Sequence, residues 1–381
     1  MRKLYNEYKF TLFSFLIWRV TLFSIIYLAL KYVPLQNNFL GGGKSNYLQN
    51  PYLWSFANFD GEHYLSIAQS GYKSLQYFYF PLFPIATSFF SGLFNRSIQN
   101  IVFIGQFISN LAFFISLIGI WKLVKIDYSS KIAKICIILL LVFPTSFYFA
   151  SFYTESLFLM FVVWSFYFAR RKKWFFAAIL GGLSSATRST GVFLFPALFV
   201  EYLLNEKNKK LSTVITLFLI PLGLIFYMLY LKNKTGDFFA FNYSGYIFGE
   251  YRSAKPIPLP QVFYRYIFKI IPNLNLKYFT GTFPILFEFL TAITLTLVSL
   301  FSITKMRLSY WVYMVAGFVT PTLYLSFVSL PRYILVLFPT FIFLSVYISK
   351  LPKILQMSIF ALLFAGLIIS LSLFSRGFWI A

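Results

Sequence analysis

Apolar runs of roughly 15 to 25 residues recur along the whole chain, each ended by a short polar or basic stretch, which is the length scale of helices that cross a bilayer. Nine of them read as spans: 10–33, 98–123, 132–150, 155–169, 211–231, 281–303, 308–328, 333–348 and 354–374. The stretch 174–204 is too long for one helix and short for two full spans, and it carries Arg188-Ser189-Thr190-Gly191 at its middle. It is predicted to form two short helices meeting at Arg188. The chain is therefore expected to be all-α, a single polytopic transmembrane domain over 1–381 with about eleven crossings. Two outer loops, about 34–97 and about 232–279, interrupt it, and the first is expected to be helical. The first run reads as a retained helix, because it is long, holds Arg19 and lacks a small-residue cleavage site.

Composition agrees with lipid as the solvent: 59% of the residues are hydrophobic and only 11% are charged. The net charge of +23 could suggest nucleic acid. The lysines and arginines instead sit mainly in short clusters between apolar runs, where they would meet lipid head groups. With eleven crossings, Arg2, Lys3 and Lys9, the clusters 122–134, 170–173 and 207–210, Lys305 with Arg307, and Lys350 with Lys353 all fall on one side. The positive-inside rule makes that side cytoplasmic. The assignment holds only if 77–94 does not span; it is read as a re-entrant or interfacial piece whose helix Pro81 and Pro84 would interrupt. The single cysteine, Cys136, excludes an intramolecular disulfide and a thiolate metal site.

Chemistry must draw on ten acidic residues and one histidine. Glu7, Asp127, Glu201 and Glu206 fall on the cytoplasmic side, where solvation explains them. Asp60, Glu62, Glu155, Asp237, Glu250 and Glu288 fall on or near the outer side. The segment Asp60-Gly61-Glu62-His63 is the densest ionisable cluster outside the basic loops. As a helix stopped at Gly71, it would put Asp60, His63, Tyr64 and Ile67 on one face and Glu62 elsewhere. Asp60 also reads as an N-cap, a role compatible with acting as a base. Glu155 opens a helix, where the macrodipole favours a carboxylate and capping is the default. Arg188 and Arg332 sit at the outer ends of apolar hairpins: they either snorkel, pair with Glu155, or clamp an anionic head group through forked donors. Loop 232–279, rich in aromatics and basic residues, reads as an interfacial belt. No phosphate-binding loop, dinucleotide fingerprint, metal-spaced set or serine-nucleophile signature occurs, which argues against soluble-nucleotide chemistry.

The run from Asp60 to Phe90 combines Asp-x-Glu-His, Ile67-Ala68, Gly71-Tyr72 and Phe80-Pro81-Leu82-Phe83-Pro84 in order. It resembles the first luminal loop of the PIG-V-like family, the second mannosyltransferases of GPI-anchor assembly and their prokaryotic relatives. Tyr153-Thr154-Glu155-Ser156, Thr187-Arg188-Ser189-Thr190-Gly191 and Pro331-Arg332-Tyr333 look like later landmarks of the same family. The resemblance implies a GT-C glycosyltransferase, a helical bundle that takes a sugar, usually mannose, from a polyprenyl-phosphate carrier at the non-cytoplasmic face. It implies an acidic base in the first outer loop, which maps onto Asp60, and an arginine for the donor phosphate, for which Arg332 and Arg188 are candidates by position.

One carboxylate suffices for such a transfer, because a phosphodiester leaves as an anion and needs no proton. Asp60 is expected to be catalytic, with Glu62, His63, Glu155, Arg188 and Arg332 binding substrate and His63 orienting the carboxylate or a sugar. No metal and no cofactor beyond the lipid-linked donor are expected. The expected partners are that donor, a lipid-linked or glycan acceptor and membrane lipid. A transporter of polyprenol-linked sugars or lipids is the alternative, although the chain lacks the internal repeat a transporter should show.

Overall fold

The structure of the chain, a computed structural model, describes residues 2–243, 256–323 and 325–381, and side chains are described from Tyr8 onward except at Tyr243. Glu250 and part of loop 232–279 lie outside the described residues. All regular structure among the described residues is helical. Five helices are long and apolar enough to cross a membrane: Tyr8–Tyr32, Ile98–Asp127, Leu211–Thr235, Phe279–Ser302 and Lys353–Ser375. A sixth candidate is the pair Leu330–Val336 and Phe338–Ile348, bent by 84° at its junction. The other segments of the expected count are shorter helices: 13 residues at Ser130–Val142, 16 at Glu155–Arg170, 14 at Trp174–Thr187, 12 at Leu194–Asn205 and 15 at Leu308–Thr322. At about 1.5 Å per residue none of these reaches across a ~30 Å hydrocarbon core alone.

The predicted break at Arg188 is present. Trp174–Thr187 ends where Arg188 turns extended, and a 3-10 stretch, Ser189–Phe193, leads into Leu194–Asn205. Small residues let this hairpin pack: a Cβ on Gly223 would stand 2.2 Å from the Gly182 carbonyl oxygen, so the Leu219–Thr235 helix lies directly on Trp174–Thr187. The 77–94 piece is a helix of only 10 residues, Leu82–Ser91. Pro81 and Pro84 do not interrupt it; they sit at its cap and first turn, where a missing N–H costs nothing. Phe89 and the following Leu93 remain exposed.

The charged loops of one pole are tied together. Arg170 holds Asp127 through two hydrogen bonds of 2.5 and 2.8 Å and lies 3.4 Å from Glu201. Arg307 stands 3.7 Å from both acids, and the Ser309 hydroxyl donates to Glu201 at 2.5 Å. Solvation therefore does not explain Glu201, which is only 3% exposed. It is buried because four helices, Ile98–Asp127, Glu155–Arg170, Leu194–Asn205 and Leu308–Thr322, end side by side there, and a buried carboxylate must find cations. Glu206, nearer the surface, pairs with Lys172 and the Trp174 indole.

Replacing Glu201 with Ala leaves Arg307 and the buried edge of Arg170 short of a partner. The expected result is a loss of unfolding free energy on the order of 3 kcal/mol, read from thermal denaturation in detergent. An unchanged unfolding midpoint would deny the cluster a structural role.

Candidate active site

The site begins at a strained residue. Phe59 has φ 54°, a left-handed value costly for an aromatic side chain, and it precedes the helix Asp60–Ser70. Asn58 holds it there. Its side chain accepts from the Phe59 and Gly41 N–H groups and donates to the Phe374 carbonyl, while its own carbonyl accepts from the Tyr153 hydroxyl at 2.6 Å. The Phe59 ring packs against Phe374 and Trp379. Phe59, not Asp60, is thus the N-cap, and the capping reading of Asp60 does not hold. Asp60 is the first helical residue, with its carboxylate turned to side-chain partners.

Those partners come from across the chain. Asp60 Oδ2 accepts from Arg332 Nη1 at 2.6 Å and Oδ1 from the Tyr79 hydroxyl at 3.1 Å. Arg332 Nε lies 3.4 Å from Glu155 Oε1, and the same oxygen accepts from Arg188 Nη1 at 2.7 Å. Arg188 also donates to the Thr154 hydroxyl, which meets the Tyr64 hydroxyl at 3.3 Å. Asp60, Glu155, Arg188 and Arg332 therefore form one network of two acids and two cations, formally neutral. Glu155 does not cap its helix; its carboxylate bridges the two arginines, and the N-terminal position adds the helix dipole. Neither arginine snorkels: the Arg332 side chain is 5% exposed and Arg188 17%.

Aromatic rings cradle the cations. The Arg332 guanidinium sits 5.4, 5.6 and 5.3 Å from the rings of Tyr148, Tyr153 and Tyr333, and Arg188 shares Tyr333 at 5.3 Å. Burial pushes the Asp60 carboxyl up, but the charge and hydrogen bond of Arg332 outweigh it and leave Asp60 below the ordinary carboxylate range. His63 is lowered by burial, with Asp60 pulling the other way. Its ring stacks on Tyr79 at 4.8 Å. Glu62 is exposed on the other face of the helix and does not line the cavity.

The four charged residues line a cavity of about 290 Å³, near the lower end of the usual small-ligand range of roughly 300 to 1,000 Å³. Thr187, Ser189 and Thr190 supply hydroxyls at one wall, and Phe80, Leu224 and Phe241 make an apolar wall. Glu155 Oε2 and Arg332 Nε are buried without a hydrogen bond among the described residues, leaving one acceptor and one donor in the network. Among the described residues no three His, Cys, Asp or Glu side chains converge as a metal set. Sequence reasoning missed Tyr79, Thr154, Asn58 and the tyrosine cradle. Tyr79 stands beside the quoted Phe80-Pro81 element, and Thr154 inside the quoted Tyr153-Thr154-Glu155, so neighbourhood was the available signal.

Residues 80–231 match the family described as dolichyl-phosphate-mannose-protein mannosyltransferase. No curated protein matches the chain. Among solved structures, ArnT from Cupriavidus metallidurans in the apo state is similar over 90% of this chain and 61% of its own, with TM-score 0.50 and 13% identity. The Archaeoglobus fulgidus oligosaccharyltransferase tethered with an acceptor peptide is similar over 96% and 55%, with TM-score 0.47 and 12% identity. The chain thus spans little more than half the length of the oligosaccharyltransferase and three fifths of ArnT. At this identity the likeness concerns the fold alone: the chain shares a helical architecture with ArnT.

Proposed function

We propose that the chain is a membrane glycosyltransferase that moves a mannosyl group from a polyprenyl-phosphate donor to a lipid-linked or glycan acceptor at the non-cytoplasmic face, with inversion. The observation that carries this reading is the Asp60–Arg332–Glu155–Arg188 network lining a cavity with one apolar wall. The match of residues 80–231 to a family described by dolichyl-phosphate-mannose supports the donor class. The motifs that resemble the PIG-V-like family support a lipid-linked acceptor.

The acceptor hydroxyl oxygen attacks the anomeric carbon, and its proton passes to the Asp60 carboxylate. The bond from that carbon to the phosphate oxygen breaks with its electron pair, so the polyprenyl phosphate gains a negative charge as it leaves. Arg332 and Arg188 stabilise that charge in a site largely removed from water. The unbonded Arg332 Nε–H suits a phosphate oxygen, and the unbonded Glu155 Oε2 suits a sugar hydroxyl. One backside displacement inverts the anomeric centre.

Asp60→Asn keeps the shape and removes the base, so transfer in membranes supplied with polyprenyl-phosphate mannose should fall by roughly 10²- to 10⁴-fold. Undiminished transfer would sink the base assignment. Arg332→Ala and Arg188→Ala should chiefly raise the KM for donor, and an arginine whose loss leaves the donor response unchanged is no part of the clamp.

The lowered pKa of Asp60 gives a second check. A depressed carboxyl contributes stability above its ordinary value and loses it as pH falls through its folded value. The difference in melting midpoint between the wild type and Asp60→Asn should hold steady from about pH 8 to 5 and shrink only below about pH 4. A difference that vanishes near pH 6 would contradict the Asp60–Arg332 pairing.

A further inference from the structure

Outside the four-residue network, another buried acidic side chain forms no ion pair among the described residues. Glu288, in the helix Phe279–Ser302, is 3% exposed. Its Oε2 accepts from the Tyr266 hydroxyl at 3.2 Å and its Oε1 from the Ser329 N–H at 3.4 Å. The Tyr266 oxygen in turn accepts from the Phe327 N–H at 3.0 Å. One carboxylate thus fixes, directly and through a phenol, two backbone amides of the short segment that leads into Arg332.

That segment needs holding. Leu325 and Ser329 have φ of 75° and 65°, left-handed values that cost a residue with a Cβ on the order of 1 kcal/mol each. The Phe327 ring lies between Phe263 at 4.9 Å and Tyr266 at 4.6 Å, and Arg265 donates to the Leu325 carbonyl at 3.3 Å. Ser329 caps the turn Leu330–Tyr333: its carbonyl accepts from the N–H groups of Arg332 and Tyr333, both at 3.1 Å. Where Ser329 sits decides where the Arg332 guanidinium meets Asp60 and Glu155.

We infer that Glu288, with Tyr266 as its relay, is a positioning residue that sets Arg332 against Asp60, joining the helix Leu259–Arg265 and its continuation to the proposed donor-phosphate site. The inference rests on the reading of Arg332 given under Proposed function. A carboxyl group suits the task because two donors converge on it and each of its two oxygens has a lone pair to accept one of them. Glutamine has one acceptor oxygen, and its amide N–H groups would confront the second donor.

The test uses the full chain in detergent or nanodiscs, with polyprenyl-phosphate mannose as donor, and the variants Glu288→Ala, Glu288→Gln and Tyr266→Phe. Tyr266→Phe keeps the ring against Phe327 and removes only the hydroxyl, so it serves if Glu288→Ala fails to fold. Two readouts are taken: backbone hydrogen exchange across 325–333, and the KM for donor separately from kcat. Exchange in 325–333 should quicken while that of the helix Glu155–Arg170 stays put. The KM for donor should rise about tenfold, the equivalent of one lost hydrogen bond, and Glu288→Gln should fall between the wild type and Glu288→Ala. Unchanged exchange overturns the inference, and so does faster exchange with a wild-type KM and kcat. If the wild type transfers nothing from this donor, the glycosyltransferase reading falls, and exchange alone then decides whether Glu288 positions the segment.

Discussion

Charge buried in an apolar bundle must be neutralised where it stands, and much of this molecule is arranged around that requirement. Asp60 and Arg332 are 272 residues apart in sequence yet share a 2.6 Å hydrogen bond. Glu155 supplies the second negative charge and touches both arginines, so that no member of the set is left as an isolated buried ion. The same rule governs the opposite pole, where Asp127 and Glu201 face Arg170 and Arg307. The helix Glu155–Arg170 has one end in each cluster, about 22 Å apart at 1.5 Å per residue. It acts as a strut between two ionic knots.

Neutrality also shapes what the cavity can do. Each arginine already has a carboxylate partner and an aromatic face, so the phosphate of the proposed donor would enter a balanced network rather than a bare positive pocket. In the proposed reaction, a phosphate on Arg332 would draw that cation's field away from Asp60, and the proton affinity of Asp60 would then rise when the proposed base is wanted. On that reading the orientation of Arg332 would carry weight in both states, and the segment 325–329 with its proposed anchor would matter beyond packing.

The matched family region, 80–231, contains Glu155 and Arg188 but stops short of Asp60 and Arg332 on either side. The fold likeness to ArnT extends over 90% of the chain at only 13% identity. A helical scaffold of this kind needs apolar residues at about the right places, which many sequences satisfy, whereas a charge network tolerates few substitutions.

Much of this was legible without coordinates. The hydrophobic runs located most helices to within a few residues, and the break at Arg188 followed from a run too long for one helix and too short for two spans. Asp60 stood out within the densest ionisable cluster, and Arg188 and Arg332 because a charge at the end of an apolar hairpin is expensive and must be explained, whereas Glu155 read by default as a cap. Five or six helices are long and apolar enough to span, so the eleven expected crossings are not confirmed: several runs fold into helices of 12 to 16 residues. The burial of Glu201, the strained Phe59 cap and the anchoring by Glu288 and Tyr266 were hidden because each depends on partners distant in the chain. Periodicity and charge, which are local, were determined by the sequence itself: helical class, membrane character and the short list of reactive groups. Which acid meets which arginine, and at what depth, was decided only by the tertiary structure, because pairing depends on how helix ends converge and no local pattern encodes that.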